Sequence, residues 1–452
     1  MKSTNTSKSV FDFYGKPSFL KALPLSLQHI LAMIMGTVTV PIIVIGTVDG
    51  SLAEKMALIQ IALVASALST LLQLYTIGKL GAKLPAIFGV GFAYVPTLTA
   101  IGAQYGLSGI LGAQLIGGIV MMIVGLFIKR IRYLFPPVVA GTVVLVIGLS
   151  LYDIAVNYMA GGVGSPNLGS MENWAVSLVT LLVVLLVSQF ATGFLKLASI
   201  ICGIGAGYLL SMYFGMVDFS PVGAAPWFST PTFLEYGLEF HAAAIISMVI
   251  ICVINSVQTI GDLSATTVGG MDRELSDKEL FGGLLGNGLC TATSSLFGGL
   301  PTSSYSQNVG IVAMTKVISR YVLALAAIFM LIAGFIPKFG AIMTTIPFPV
   351  LGGATIIVFG MITMTGVQLI TKDEMSSRNV TIVSLSLALS MGIYAVPDSI
   401  AQLPDVLNLV IGGSPIVVAT FISFTLNLLL PKKTLADEEH ERRQTEIQMN
   451  EA

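Results

Sequence analysis

Apolar runs of bilayer-crossing length recur along the whole chain. They lie near residues 24–46, 54–76, 108–128, 134–156, 174–192, 197–215, 243–263, 280–298, 319–336, 340–366, 379–395 and 410–430. A spanning helix needs about 20 apolar residues. The chain has 452 residues, 55% of them hydrophobic and only 10% charged, whereas soluble domains carry about 25% charged residues. Water could not cover so much apolar surface; lipid can. A formal net charge of −1 leaves no basic field for nucleic acid. Cys202, Cys252 and Cys290 stand singly in apolar runs, without metal or disulfide spacing. The polar, aromatic start lacks the compact apolar core of a cleaved leader, so none is expected.

Two further stretches, 84–104 and 300–318, are interrupted by Gly, Pro and polar residues. Each reads as an extended piece running into a half-helix. Such backbone is tolerated at membrane depth only where protein buries it or it lines a cavity. Counting both gives about 14 segments in an all-α polytopic membrane protein. Charge placement supports that count. With the N-terminus inside, all of the 22 Lys and Arg except Lys55 and Lys338 fall on the inner side, as the positive-inside rule requires. The broken segments are the third and the tenth. An offset of seven inverts the second half relative to the first, giving 7+7 inverted repeats whose discontinuous segments meet at the midplane.

No phosphate-binding Gly-rich loop, H-E-x-x-H, G-x-S-x-G or His/Cys cluster is present. This argues against an enzyme and against a cofactor, and leaves an ion gradient or passive flux as the energy source. Attention then falls on polar residues at membrane depth, which are costly and usually functional. Gln28 and His29 lie in the first span; His29 reads either as a proton acceptor or as a hydrogen-bonded strut. In NSVQTIGDLSATT (255–267), Gln258 and Asp262 are four apart and share a helix face. Asp262 is either a proton site or an acid hydrogen-bonded to a neighbouring segment. In 303–316, Ser303, Ser304, Tyr305, Ser306, Gln307 and Asn308 precede Gly310, where the chain is expected to turn into its half-helix. The unpaired N–H groups of a half-helix N-terminus suit carbonyl oxygens. Phe92 and Tyr305 offer ring faces for a flat ligand.

Gln307-Asn308-Val309-Gly310 with Thr315-Lys316 resembles the signature of the nucleobase–ascorbate transporters, the nucleobase:cation symporter-2 family. Gln28-His29, Gly261-Asp262 and GVGFAYVP (89–96) resemble its other elements, and together the matches span most of the membrane region. The resemblance implies a core of segments 1–4 and 8–11 (24–130 and 241–337) and a gate of segments 5–7 and 12–14 (131–240 and 338–431). Cytoplasmic tails would occupy 1–23 and 432–452. It also implies a homodimer in the plasma membrane, a bacterial inner membrane, with an elevator-like movement of the core. By position, Gln307 would bind a base edge and Asn308 would support it. Phe92 and Tyr305 would sandwich the ring, the Phe92 and Ser306 backbones would supply N–H groups, and Gln258 would hold the opposite edge.

Three departures stand out. Gln258 replaces a usual Glu, Asn287 a frequent Asp, and Gly91 a common Ser. Amides do not titrate, so Asp262 is the carboxylate left on that face. Coupling by proton is expected first, by sodium or by nothing next. Gln307 resembles the residue of purine-type members, which implies a purine, xanthine or urate ahead of guanine and hypoxanthine, then uracil. An anion exchanger of the related sulfate/bicarbonate fold and a purine sensor without flux are the alternatives.

Overall fold

The structure, a computed structural model, describes residues 10–48, 50–127, 136–404 and 407–451. Lys2, Lys8, Lys129, Arg130 and Arg132, part of the expected inner-side charge, lie outside the described residues.

The chain is a helical assembly around one small sheet. Helix α1 (Phe19–Thr47) is followed by α2 (Leu52–Leu74), strand β1 (Phe88–Val90), a short 3-10 turn (Phe92–Tyr94) and α3 (Val95–Leu126). Next come α4 (Pro137–Ser150), α5 (Tyr152–Met159), α6 (Met171–Phe190) and α7 (Ser199–Tyr213). The second half runs α8 (Ala242–Met271), α9 (Asp277–Leu296), strand β2 (Thr302–Ser304), α10 (Ser306–Thr315), α11 (Arg320–Gly334), α12 (Pro337–Thr344), α13 (Phe348–Ile370), α14 (Ser377–Ala395) and α15 (Pro415–Leu429). Helix α16 (Leu435–Glu451) closes the chain.

Local chemistry sets the helix starts. Ser51 and Glu54 form a reciprocal capping box on α2, and Ser276 and Glu279 form one on α9. Seven of the described stretches are long and apolar enough to cross a membrane, counting Phe92–Leu126 and Pro137–Met159 as one each. An eighth is added if α11 and α12, bent by 85°, form one crossing. The expected spans over 280–298 and 379–395 are helices but are not among these. The span expected over 340–366 is instead split between α12 and α13, with Pro347 at the start of α13. Length and composition therefore do not by themselves establish 14 crossings. Gly106, with φ of 67°, breaks α3 into the two pieces expected as separate segments.

The packing pairs follow a two-fold pattern. β1 pairs with β2, α4 packs on α13, and the contact of α2 with α11 is matched by that of α3 with α9. Glycines permit the closest approaches: a Cβ on Gly118 would lie 2.6 Å from the Ala292 nitrogen, and one on Gly288 2.7 Å from the Gly118 oxygen. Neither end of the chain is a free tail throughout. Phe11 and Phe13 carbonyls accept from Ile318 and Arg320 amides at 3.1 Å. Glu438 of α16 accepts from the Ser377 amide at the start of α14 at 2.6 Å.

Candidate functional site

Strands β1 and β2 are antiparallel, with Phe88 opposite Ser304, Gly89 opposite Ser303 and Val90 opposite Thr302. Each then feeds a helix, β1 through Phe92 and β2 through Ser306, so two helix N-termini leave the small sheet in opposite directions. Their first N–H groups have no intrahelical partners, and their positive dipole ends face the middle of the assembly. Helix α10 begins at Ser306, four residues earlier than expected. Gly310 therefore lies within the helix and not at its turn, and a Cβ there would meet nothing within 4 Å. Thr315 lies at the far end of α10, donating to the Ile311 carbonyl at 2.8 Å and accepting from the Val317 amide.

Asp262, buried on α8, ties that helix to the β2–α10 junction. Its carboxylate accepts from the Ser304 hydroxyl at 2.5 Å and the Ser306 hydroxyl at 2.7 Å. Gln258, one turn earlier on the same face, is directed at the same carboxylate. Gln307 is half-buried, and no side-chain hydrogen bond involves it among the described residues. Its amide is therefore available to a ligand in both senses, donor and acceptor.

Asn308 is tied to α1 through its amide nitrogen. Its Nδ2 donates to the His29 carbonyl at 3.0 Å and contacts His29 Nδ1 at 3.1 Å, while its Oδ1 is buried without a partner. Because that amide nitrogen donates to Nδ1, His29 acts as an acceptor and strut in this arrangement. Gln28 beside it also has a buried, unpartnered Oε1. The Tyr305 hydroxyl donates to the Val90 carbonyl at 2.7 Å and lies 3.2 Å from Thr37 Oγ1. Gly36 and Gly89 flank the ring: added Cβ atoms would fall 2.6 Å from its hydroxyl and 2.5 Å from its Cε2. Tyr305 thus clamps β1 to α1. Phe92 packs edge-on against Phe359 of α13, with centroids 5.1 Å apart and planes at 81°. Gly91 makes room for Ser303, whose Cβ would lie 2.6 Å from a Cβ at position 91.

A chain of buried polar groups that the sequence reading did not assign lies behind the strand. Asn255 donates to Ser303 Oγ at 2.6 Å, Asn287 donates to Asn255 Oδ1 at 3.3 Å, and Thr302 donates to Asn287 Oδ1 at 2.9 Å. Thr291 bonds the Thr302 amide at 3.3 Å. The signal was present: Asn255, Gln258 and Asp262 fall at i, i+3 and i+7, one helical stripe. Asn287, which stands where the resembled family often has Asp, is here the middle of that chain.

A model of a permease family, described simply as "Permease family", matches residues 20–399. The chain is 35% identical to the uric acid permease PucK of Bacillus subtilis, covering 92% of this chain and 96% of the relative. It is 34% identical to the xanthine permease of the same organism, covering 91% and 94%. Its fold is similar to the transmembrane domain of the cyanobacterial bicarbonate transporter BicA, with a TM-score of 0.54 at 16% identity over 90% of this chain and 98% of that one.

Proposed function

The chain belongs to this permease family of integral membrane transporters, and we propose that it imports a purine nucleobase, xanthine or urate, by proton symport. The observation that carries this reading is the Gln307 amide at the N-terminus of α10, next to Ser306 and without a side-chain hydrogen bond among the described residues. A purine presents carbonyl oxygens and N–H groups along one edge. Gln307 pairs with both, and the backbone N–H groups at Ser306 and Phe92 take further oxygens. Phe92 supplies the ring contact. Uric acid and xanthine are what the named relatives carry.

In this reading the core is 24–130 with 241–337, the gate 131–240 with 338–431, and the core moves as an elevator against the gate. Asp262 is the proton site, because positions 258 and 287 hold amides. Protonation would weaken its acceptance from Ser304 and Ser306, loosening α8 from the β2–α10 junction that holds the base. Ion binding and substrate binding are thereby linked through shared hydroxyls. The working unit is a homodimer in the bacterial inner membrane, with both termini in the cytoplasm.

The test is a thermal-shift panel on the detergent-purified protein, with xanthine, urate, guanine, hypoxanthine, adenine, uracil and ascorbate at two pH values, with and without sodium. A ligand that binds only the folded state raises the melting temperature by mass action. Stabilisation by xanthine or urate that depends on pH and not on sodium is expected. Stabilisation by ascorbate alone, or by sodium-dependent binding alone, would overturn the substrate or the ion respectively.

A further inference from the structure

The two cations that charge placement leaves on the outer side, Lys55 and Lys338, have different surroundings. Lys338 donates to the Val222 carbonyl at 2.9 Å and lies over the Trp227 ring at 4.9 Å. Lys55, half-buried in the first turn of α2, has neither a carboxylate nor a carbonyl partner among the described residues. Its ammonium lies over the Phe348 ring, with the centroid 5.5 Å away. A partly desolvated charge of this kind gains from any ligand that supplies a compensating oxygen.

Lys55 lines a cavity of about 260 Å³. One wall comes from α1 and α2. The other comes from the segment after α7, with Asp218, and from the α12–α13 corner, with Thr344 and Phe348. Asp218 is exposed, and its carboxylate accepts from the Ser220 amide at 2.9 Å and the Ser220 hydroxyl at 2.7 Å. It is therefore held in place but is not paired with Lys55. Thr344 gives its proton to the Ala341 carbonyl at 2.8 Å, which leaves its oxygen as an acceptor. The cavity is thus lined by one cation without an oxygen partner among the described residues, one carboxylate held by Ser220, a hydroxyl acceptor and an aromatic ring. Its volume lies just below the roughly 300–1,000 Å³ of drug-sized sites, as suits a single bicyclic base.

We propose that this cavity is a second, outer binding site for an oxo-purine, occupied before the base reaches the crossed strands. An oxo-purine carries a carbonyl oxygen directly beside a ring N–H. Lys55 takes the oxygen, Asp218 accepts from the N–H, and Phe348 packs against the ring. Adenine has no such oxygen and is disfavoured. The two walls belong to the proposed core and gate, so the site opens or closes as they move. The inference rests on the reading of the chain as a purine carrier.

The test is uptake of radiolabelled xanthine by cells expressing the full chain, at low and raised ionic strength, for the parent, K55Q, K55R and D218N. K55Q is expected to raise KM about five-fold while keeping the maximal rate, and to lose the salt dependence of KM that the parent shows. K55R restores both, which a purely structural role would not require. D218N, in an exposed segment, raises KM by a similar factor and serves if K55Q fails to reach the membrane. A K55Q or D218N protein with the parental KM and salt response would overturn the outer site alone. A parent that takes up no oxo-purine would overturn the transport reading and this site with it.

Discussion

Strands β1 and β2 occupy equivalent places in the two halves, and they are held in equivalent ways. In α2, Thr70 Oγ1 accepts from the Phe88 amide at 3.1 Å and donates to its carbonyl at 2.9 Å. In α9, Thr291 Oγ1 accepts from the Thr302 amide and lies against the same residue's carbonyl and hydroxyl. Four residues before each threonine sits a second polar anchor, Ser66 under the Val90 amide and Asn287 under the Thr302 hydroxyl. The backbone scaffold is therefore symmetric. The side chains are not: β1 reads Phe-Gly-Val and β2 reads Thr-Ser-Ser. The first strand is fixed through its backbone and offers the site only an apolar wall and N–H groups. The second is fixed through the Thr302 amide and also through its side chains, which connect to Asn255, Asn287 and Asp262. A purine is not two-fold symmetric, and in the proposed reading one strand of a symmetric pair does the polar work of recognising it.

Five variants would break or sharpen that comparison. The largest effect is expected for Asp262→Asn, which strikes the polar half alone. In vesicles with an imposed pH gradient, xanthine accumulation should fall to the equilibrium ratio; accumulation persisting at the parental level would remove Asp262 as the ion site. Gln307→Ala should weaken xanthine binding by about 10- to 100-fold. It should leave the melting temperature of the unliganded protein unchanged, because the Gln307 side chain makes no hydrogen bond among the described residues. Calorimetry showing parental affinity would sink its role as the base reader.

The symmetric threonines give a finer contrast. Thr70→Val and Thr291→Val should each cost about 1–3 kcal/mol of stability, since each strands buried backbone groups. Only Thr291→Val should also weaken xanthine binding, through Thr302, Asn287 and Asn255 to Ser303. Equal binding losses in both would show that the halves share the recognition. The smallest effect is expected for Gly310→Ala. With open space at that Cβ, the change should leave uptake intact and stabilise α10 by at most about 1 kcal/mol. Loss of uptake in a folded variant would place something against α10 that the chain alone does not supply.

Much of the architecture was legible in the residues themselves. The broken character of 84–104 and 300–318 is written in Leu-Pro steps and glycines, and the structure turns both into a short strand followed by a half-helix. Gln307 and Asn308 stand out because polar side chains at membrane depth are costly. Legibility failed where the register of a helix start mattered. Gly310 looked like a turn, yet Ser306 begins the helix, because the antiparallel pairing of β2 ends at Ser304.

Sequence alone determined that this chain lives in lipid, that it carries two interrupted segments, and to which family it belongs. These follow from composition, period and short motifs, all local in the chain. Only the tertiary structure decided what each polar side chain does. Tyr305 became a clamp on Val90, His29 a strut for Asn308, and Asn287 the centre of a buried chain, while Gln307 was left unbonded. The physical reason is that a polar group away from water must find a partner, and here the partners lie far apart in the chain. Asn308 and His29 are 279 positions apart, and Tyr305 and Val90 are 215 apart. No local pattern specifies such a pairing; it is fixed by the crossing of two strands from opposite halves of the fold.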